Sequence, residues 1–144
     1  PVKEELYFAM EGLGSYKISR DAVISDLDDL IERSNKLPID YKRENYVIVG
    51  SRSHMSEETE EFFDEKKKEH GNVEVMAVGS SLKLCMVAEG KADAYPRYAP
   101  TMEWDTGAGD AICRMAGFQV LQYNTDIPVV YNKENLLNPW FLVK

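Results

Sequence analysis

Cysteine, histidine and positive charge are all scarce in this sequence. Two cysteines, Cys85 and Cys113, occur in 144 residues without CxxC spacing, and with only two histidines no metal-finger pattern can be assembled. Both thiols sit in apolar contexts, which predicts buried, reduced cysteines in a cytoplasmic protein. Lys and Arg number 17 against 25 Asp and Glu, a formal charge of -8. A chain of that sign repels polyanions, so a nucleic acid polymer is not the expected partner, whereas a small anion remains open. Long hydrophobic runs are missing as well. The longest strictly apolar run, Leu84 to Ala88, spans five residues against the roughly 20 that cross a bilayer. Membrane association and a secretory leader are therefore not indicated by these residues.

What is present is enough for one acidic domain, since 44% of the residues are hydrophobic and the mass is 16.4 kDa. The sequence opens on Pro1, and a strand pattern begins within a few residues of it. Both features predict an internal or C-terminal piece of a longer protein.

Alternation around Gly12 and Gly14 predicts a hairpin from residues 5–10 and 15–19. Residues 21–43 carry a weaker pattern, in which Ile24, Leu27, Leu30 and Ile31 line a turn or two of helix behind a Ser25 cap before Pro38 breaks the segment. A regular rhythm follows. Residues 46–49 read as a buried strand that runs into the polar loop 50–55. Ser56 starts a helix with glutamates in its first turns, lysines in its last and Gly71 as its stop, the order that the helix dipole favours. A strand at 73–78, a turn at 79–81, a helix at 82–88 and a strand at 92–95 ended by Pro96 come next. A helix from about Thr106 to Ala116, a strand at 118–123 and short strands at 129–131 and 141–143 complete the reading. Strand and helix alternating in this way predict an α/β fold with a largely parallel sheet covered on both faces.

In such sheets ligands collect at the carboxyl ends of strands. Gly79-Ser80-Ser81 opens a helix directly after a strand, offering free N–H groups and hydroxyls to an anion, with Lys83 in the first turn. An ordinary serine cap with a solvent-facing lysine is the simpler alternative. Asp105 stands before a helix start, where an aspartate is ordinarily a cap. It is alternatively a magnesium ligand, given that this ion takes one or two carboxylates plus waters and phosphate. Arg52, His54 and Arg97 each follow a strand end, where guanidinium forks suit phosphate oxygens and an imidazole suits the edge of a base. The glycines of Gly107-Ala-Gly-Asp110 fit close approach of a helix to a neighbouring element better than a dinucleotide loop.

Taken together, the stretch Gly79-Ser-Ser-Leu-Lys83 through Ala92-Asp-Ala-Tyr-Pro-Arg97 and the stretch Pro100-Thr-Met-Glu-Trp-Asp-Thr-Gly-Ala-Gly109 resemble the inositol-monophosphatase-like superfamily. Within it they are similar to the 3'(2'),5'-bisphosphate nucleotidase branch of CysQ type. Val49-Gly-Ser-Arg-Ser-His54 upstream and Asn135-Leu-Leu-Asn-Pro-Trp-Phe141 downstream extend the likeness. The resemblance implies that residues 1–144 are the C-terminal domain of a two-domain phosphatase. That domain is a three-layer αβα sandwich with a mostly parallel, mixed sheet of about five strands. It also implies that the paired-glutamate and Asp-Pro-x-Asp-Gly-Thr motifs of a metal-binding N-terminal half, absent here, complete the site. Position by position, Asp105 matches the family's metal-binding aspartate. Ser80, Lys83 and Arg97 match positions holding a non-scissile 5'-phosphate, His54 the position beside the adenosine, and Asp93 a structural aspartate. The implied substrate is adenosine 3',5'-bisphosphate, the implied cofactor Mg2+, and the implied partner the chain's own N-terminal domain. This sequence departs from the family at Gly107 and Phe118, where alanine and glycine are common.

Two other readings stay open. Asp105-Thr-Gly-Ala-Gly-Asp-Ala111 resembles a gapped ribokinase-type signature, in which Asp110 would be the base of a sugar kinase. The truncated motif set also suits a non-catalytic nucleotide-binding module.

Overall fold

The computed structural model describes residues 4–19, 23–50 and 55–144. Its first unit is the expected hairpin, β1 (Glu5–Met10) against β2 (Gly14–Ser19) in antiparallel register with Phe8 opposite Tyr16. Gly12 at φ +81° and Gly14 at φ +110° turn the chain in the left-handed region that favours glycine. The weak helical pattern becomes α1 (Leu27–Glu32), and its cap is Asp26, whose side chain accepts from the Asp29 N–H at 2.9 Å, rather than Ser25. This helix buries none of its residues, which explains why its periodicity is faint. A two-residue strand, β3 (Asn35–Lys36), then pairs with β2.

The second unit begins with β4 (Tyr46–Gly50), followed by α2 (Glu57–His70), capped by the Ser56 hydroxyl and stopped at Gly71 with φ +74°. Next comes β5 (Val73–Ala77), parallel to β4. Then follow α3 (Leu82–Ala88), β6 (Tyr95–Arg97), α4 (Glu103–Met115), β7 (Val120–Gln122) and β8 (Phe141–Val143). Several boundaries differ from the sequence reading. Pro96 lies inside β6 opposite Leu142 instead of ending a strand. α4 starts three residues before Thr106, because Met102 is its cap and the Glu103 N–H is held by the Leu136 carbonyl at 3.0 Å. Residues 129–131 form no strand; Val129 donates to the Val120 carbonyl at 3.0 Å, and its own carbonyl accepts from Arg114 at 2.6 Å.

The expected single, mostly parallel sheet of about five strands is also corrected. β5 and β4 form a parallel pair, while β6, β8 and β7 form a separate antiparallel sheet in that order. A single parallel bridge, Ile48 to Ala94, stitches the two, with the Val49 N–H reaching the Ala94 carbonyl at 2.8 Å. Strand alternation still layers the domain. Val47 and Val49 face a core shared with α3, α4, Phe141 and Val143, whereas Ile48 faces the opposite way onto Phe62 and Phe63 of α2.

Two charge clusters join the elements. Asp93 accepts from the Val47 N–H at 2.7 Å and takes both guanidinium nitrogens of Arg43 at 2.6 and 2.8 Å, fixing the entry to β6. Glu89, at the end of α3 and fully buried, takes Tyr7, Lys17, Tyr41 and Lys91, which ties the hairpin and the loop after Pro38 to the core.

Candidate functional site

α3 and α4 pack directly on one another. Gly109 makes this possible, as a Cβ there would sit 2.9 Å from both Cβ and Cδ1 of Leu84. Because the helices start on the same side of the domain, the turn before α3, the end of β6 and the first turn of α4 surround one pocket of about 520 Å3. Ser80, Lys83, Arg97 and Asp105 all line it. His54 and Arg52 lie outside the described residues.

Each of the four has a defined local cause. Ser80 adopts φ +52°, an uncommon conformation for a residue with a Cβ, which turns the chain sharply out of the 73–77 strand. The simple cap is not what the geometry contains, for Ser81 is already helical and makes no side-chain cap bond. Lys83 extends over the Tyr95 ring, with Nζ 5.8 Å from its centroid. Burial and the neighbouring Arg97 charge both push the Lys83 pKa down, the first more than the second. Arg97 donates through Nη2 to the Pro100 carbonyl at 3.2 Å, while its buried Nε–H has no partner among the described residues. Among the described residues neither cation has a carboxylate within ion-pair reach. Two adjacent positive groups, partly desolvated and without an anion, are costly for the protein to hold alone.

Asp105 stands in the first turn of α4 and not before it. Its Oδ2 accepts from the Met102 N–H at 2.9 Å, the reciprocal bond of a helix start, so the capping role is real. Oδ1 makes no hydrogen bond among the described residues and belongs to an exposed side chain on the pocket wall. The two roles are thus compatible, one on each oxygen.

Other residues of the site were not legible in the sequence. Thr106, buried beside Asp105, accepts from Tyr131 at 3.2 Å and from the Asn138 amide at 2.9 Å. Asn138 also reaches Thr101 at 3.2 Å, and Trp104, 69% exposed, stands on the rim. A second hollow of about 340 Å3 adjoins the first. Lys83, Tyr95 and Arg97 line both, and Met55, Pro96 and Ala99 give the second an apolar wall. Asp110 does not face the pocket. It is a buried residue of α4 paired with Arg114 one turn on at 2.8 Å, a placement unsuited to the base of a sugar kinase.

The sequence profile of the inositol monophosphatase family matches residues 1–140, and the chain belongs to that family. Within it the chain is similar to the 3'(2'),5'-bisphosphate nucleotidase CysQ of Salmonella typhimurium, at 41% identity over 97 residues. That match covers 67% of this chain and 38% of the relative. The protein of the same name from Escherichia coli is 42% identical over 98 residues, again 38% of its length. Among solved structures, CysQ from Bacteroides thetaiotaomicron is 53% identical, with a TM-score of 0.92 over 100% of this chain and 55% of that one. Mycobacterium tuberculosis SuhB, at 22% identity and a TM-score of 0.58, shares the fold. The chain therefore spans well under two thirds of the length of these relatives.

Proposed function

We propose that this chain is the C-terminal domain of a metal-dependent phosphatase that removes the 3'-phosphate of adenosine 3',5'-bisphosphate. The observation that carries the reading is the pair Lys83 and Arg97, set in a pocket with no carboxylate partner among the described residues and with Asp105 on the same wall. A phosphate there would take up the orphaned Arg97 Nε–H and relieve the repulsion between the two cations. Ser80 adds a hydroxyl to the same end. The apolar hollow that shares Lys83 and Arg97 suits a nucleobase and ribose next to the held 5'-phosphate, which directs the second phosphate towards Asp105.

Asp105 fits as one ligand of a magnesium ion through its free Oδ1, and that ion uses few protein carboxylates. Among the described residues no group of three or more His, Cys, Asp or Glu side chains is placed to hold a metal. On this reading the remaining carboxylates would come from an N-terminal half, the partner that the family resemblance implies. When bound, magnesium supplies an activated water and charge stabilisation for the departing ribose oxygen. The chain's own residues bind and orient. Lys83 and Arg97 neutralise the phosphate that stays, Tyr95 backs Lys83, and the Met102 N–H keeps the Asp105 carboxylate in one orientation.

Phosphoryl transfer depends on placement and charge, so this chain by itself binds the nucleotide but turns it over negligibly. Phosphate release from adenosine 3',5'-bisphosphate with magnesium, by the chain alone and by the protein that includes an N-terminal half, tests this. Activity only in the longer protein is expected. Robust turnover by the 144 residues contradicts the division of labour.

A further inference from the structure

Asn138 is 4% exposed and holds the wall that carries Asp105. Its Nδ2 donates to Thr101 Oγ1 at 3.2 Å and to Thr106 Oγ1 at 2.9 Å. Its backbone N–H donates to the Thr101 carbonyl at 2.9 Å. Thr101 and Thr106 both line the pocket, and they bracket Trp104 and Asp105. On the far side of Thr101 the chain is anchored by Arg97 on the Pro100 carbonyl. The segment from Arg97 to Thr106 is thus pinned near its cationic end by Arg97 and around its acidic end by Asn138.

We propose that Asn138 is a positioning residue that sets the separation between the Asp105 carboxylate and the Lys83–Arg97 cations, and so selects ligands with two anionic ends over ligands with one. The inference rests on reading the pocket as the seat of a bisphosphorylated nucleotide. Asn138 touches no ligand itself; it acts through Thr101 and Thr106, whose backbone carries Asp105. A purely structural asparagine has a different signature, because loosening the domain weakens all ligands together.

The test uses the chain isotope-labelled for amide NMR, with Trp104 and Asp105 as local reporters. In Asn138→Ala, the Trp104 indole and Asp105 amide resonances shift. Binding of adenosine 3',5'-bisphosphate with magnesium weakens about tenfold, and binding of AMP changes less than twofold. In a Thr101→Val/Thr106→Val background, Asn138→Ala adds nothing further, as expected when the groups act as a unit. Unmoved resonances, equal weakening of both nucleotides, or full additivity with the threonine changes overturns the proposal. If Asn138→Ala does not fold, Asn138→Ser, which keeps one hydrogen-bonding group, is judged by the same readouts. A wild-type chain that binds neither nucleotide, or both alike, counts against the reading of the pocket. Asn138 is then decided by the resonances alone, where movement at Trp104 and Asp105 supports positioning and its absence refutes it.

Discussion

Two charged regions at the two ends of α3 are built in opposite ways. At the helix end, the Glu89 carboxylate is fully buried and receives Tyr7 at 2.5 Å, Tyr41 at 2.6 Å, Lys91 at 2.8 Å and Lys17 at 2.9 Å. At the helix start, Lys83 and Arg97 lie side by side with no anion among the described residues, and a buried guanidinium N–H is left over. The same domain that satisfies one buried carboxylate completely leaves two cations at the other end of the helix without a carboxylate among the described residues. On the proposed reading, the contrast separates a charge that holds the fold from charges kept for a ligand.

Removing Glu89 breaks that comparison most severely. Glu89→Ala leaves Lys91 and the Tyr7 and Tyr41 phenols without their acceptor and Lys17 with Glu5 alone, and the expected loss is about 3–5 kcal/mol in urea unfolding. Neutralising Lys83 or Arg97 to Gln in the same assay costs nothing or stabilises the chain by about 0.5–2 kcal/mol, as expected where function opposes stability. A loss at Arg97 equal to that at Glu89 would erase the distinction.

Next in size is the effect of ligand. Adenosine 3',5'-bisphosphate at a hundred times its Kd raises stability by about 2.7 kcal/mol in the native chain. No such rise occurs in the Lys83→Gln/Arg97→Gln double variant, as read by thermal melts.

The pH dependence sharpens the same contrast. Burial alone would raise the Glu89 pKa, but Lys91, Tyr41, Tyr7 and Lys17 together hold it down to about 2. A depressed carboxylate contributes stability above its unfolded pKa of about 4.5, and that contribution fades as pH falls towards 2. Denaturant midpoints measured between pH 6 and 2 therefore fall in the native chain and fall less steeply in Glu89→Gln, about neutral pH being the reference.

Packing effects at the two glycines of α4 that flank Ala108 bear on the same contrast from the side of the fold. Gly109→Ala forces Cβ within 2.9 Å of Leu84 and loosens the α3–α4 contact that brings both sides of the pocket together, at about 1–3 kcal/mol. Gly107→Ala meets only the Tyr131 ring at 3.6 Å and stabilises by up to about 1 kcal/mol.

Much of this arrangement was legible in advance where the signal is local. The helix from Ser56 to Gly71 is written by its charge order and cap, and α3 by its apolar run between Ser81 and Gly90. Ser80, Lys83, Arg97 and Asp105 could be picked out as anion or metal candidates because each follows a strand or opens a helix. The start of α4 lies earlier than its local pattern predicts because Leu136 and Leu137, far along the chain, supply the contacts that extend it backward. For the same reason the split of the sheet was invisible: whether short strands join in one ladder depends on registers that no local pattern encodes. Glu89 and Asn138 were missed because their partners lie as many as 82 residues away or across a loop, and a lone polar letter beside an apolar run gives no sign of burial.

Calorimetric titration of adenosine 3',5'-bisphosphate into the native chain and into Lys83→Gln/Arg97→Gln, with thermal stability measured on the same samples, is the most direct test of the unmatched cations. Binding abolished with the melting temperature kept or raised is the predicted result. Undiminished binding in the double variant, or a collapse of stability with it, would contradict the assignment of these two side chains to a ligand.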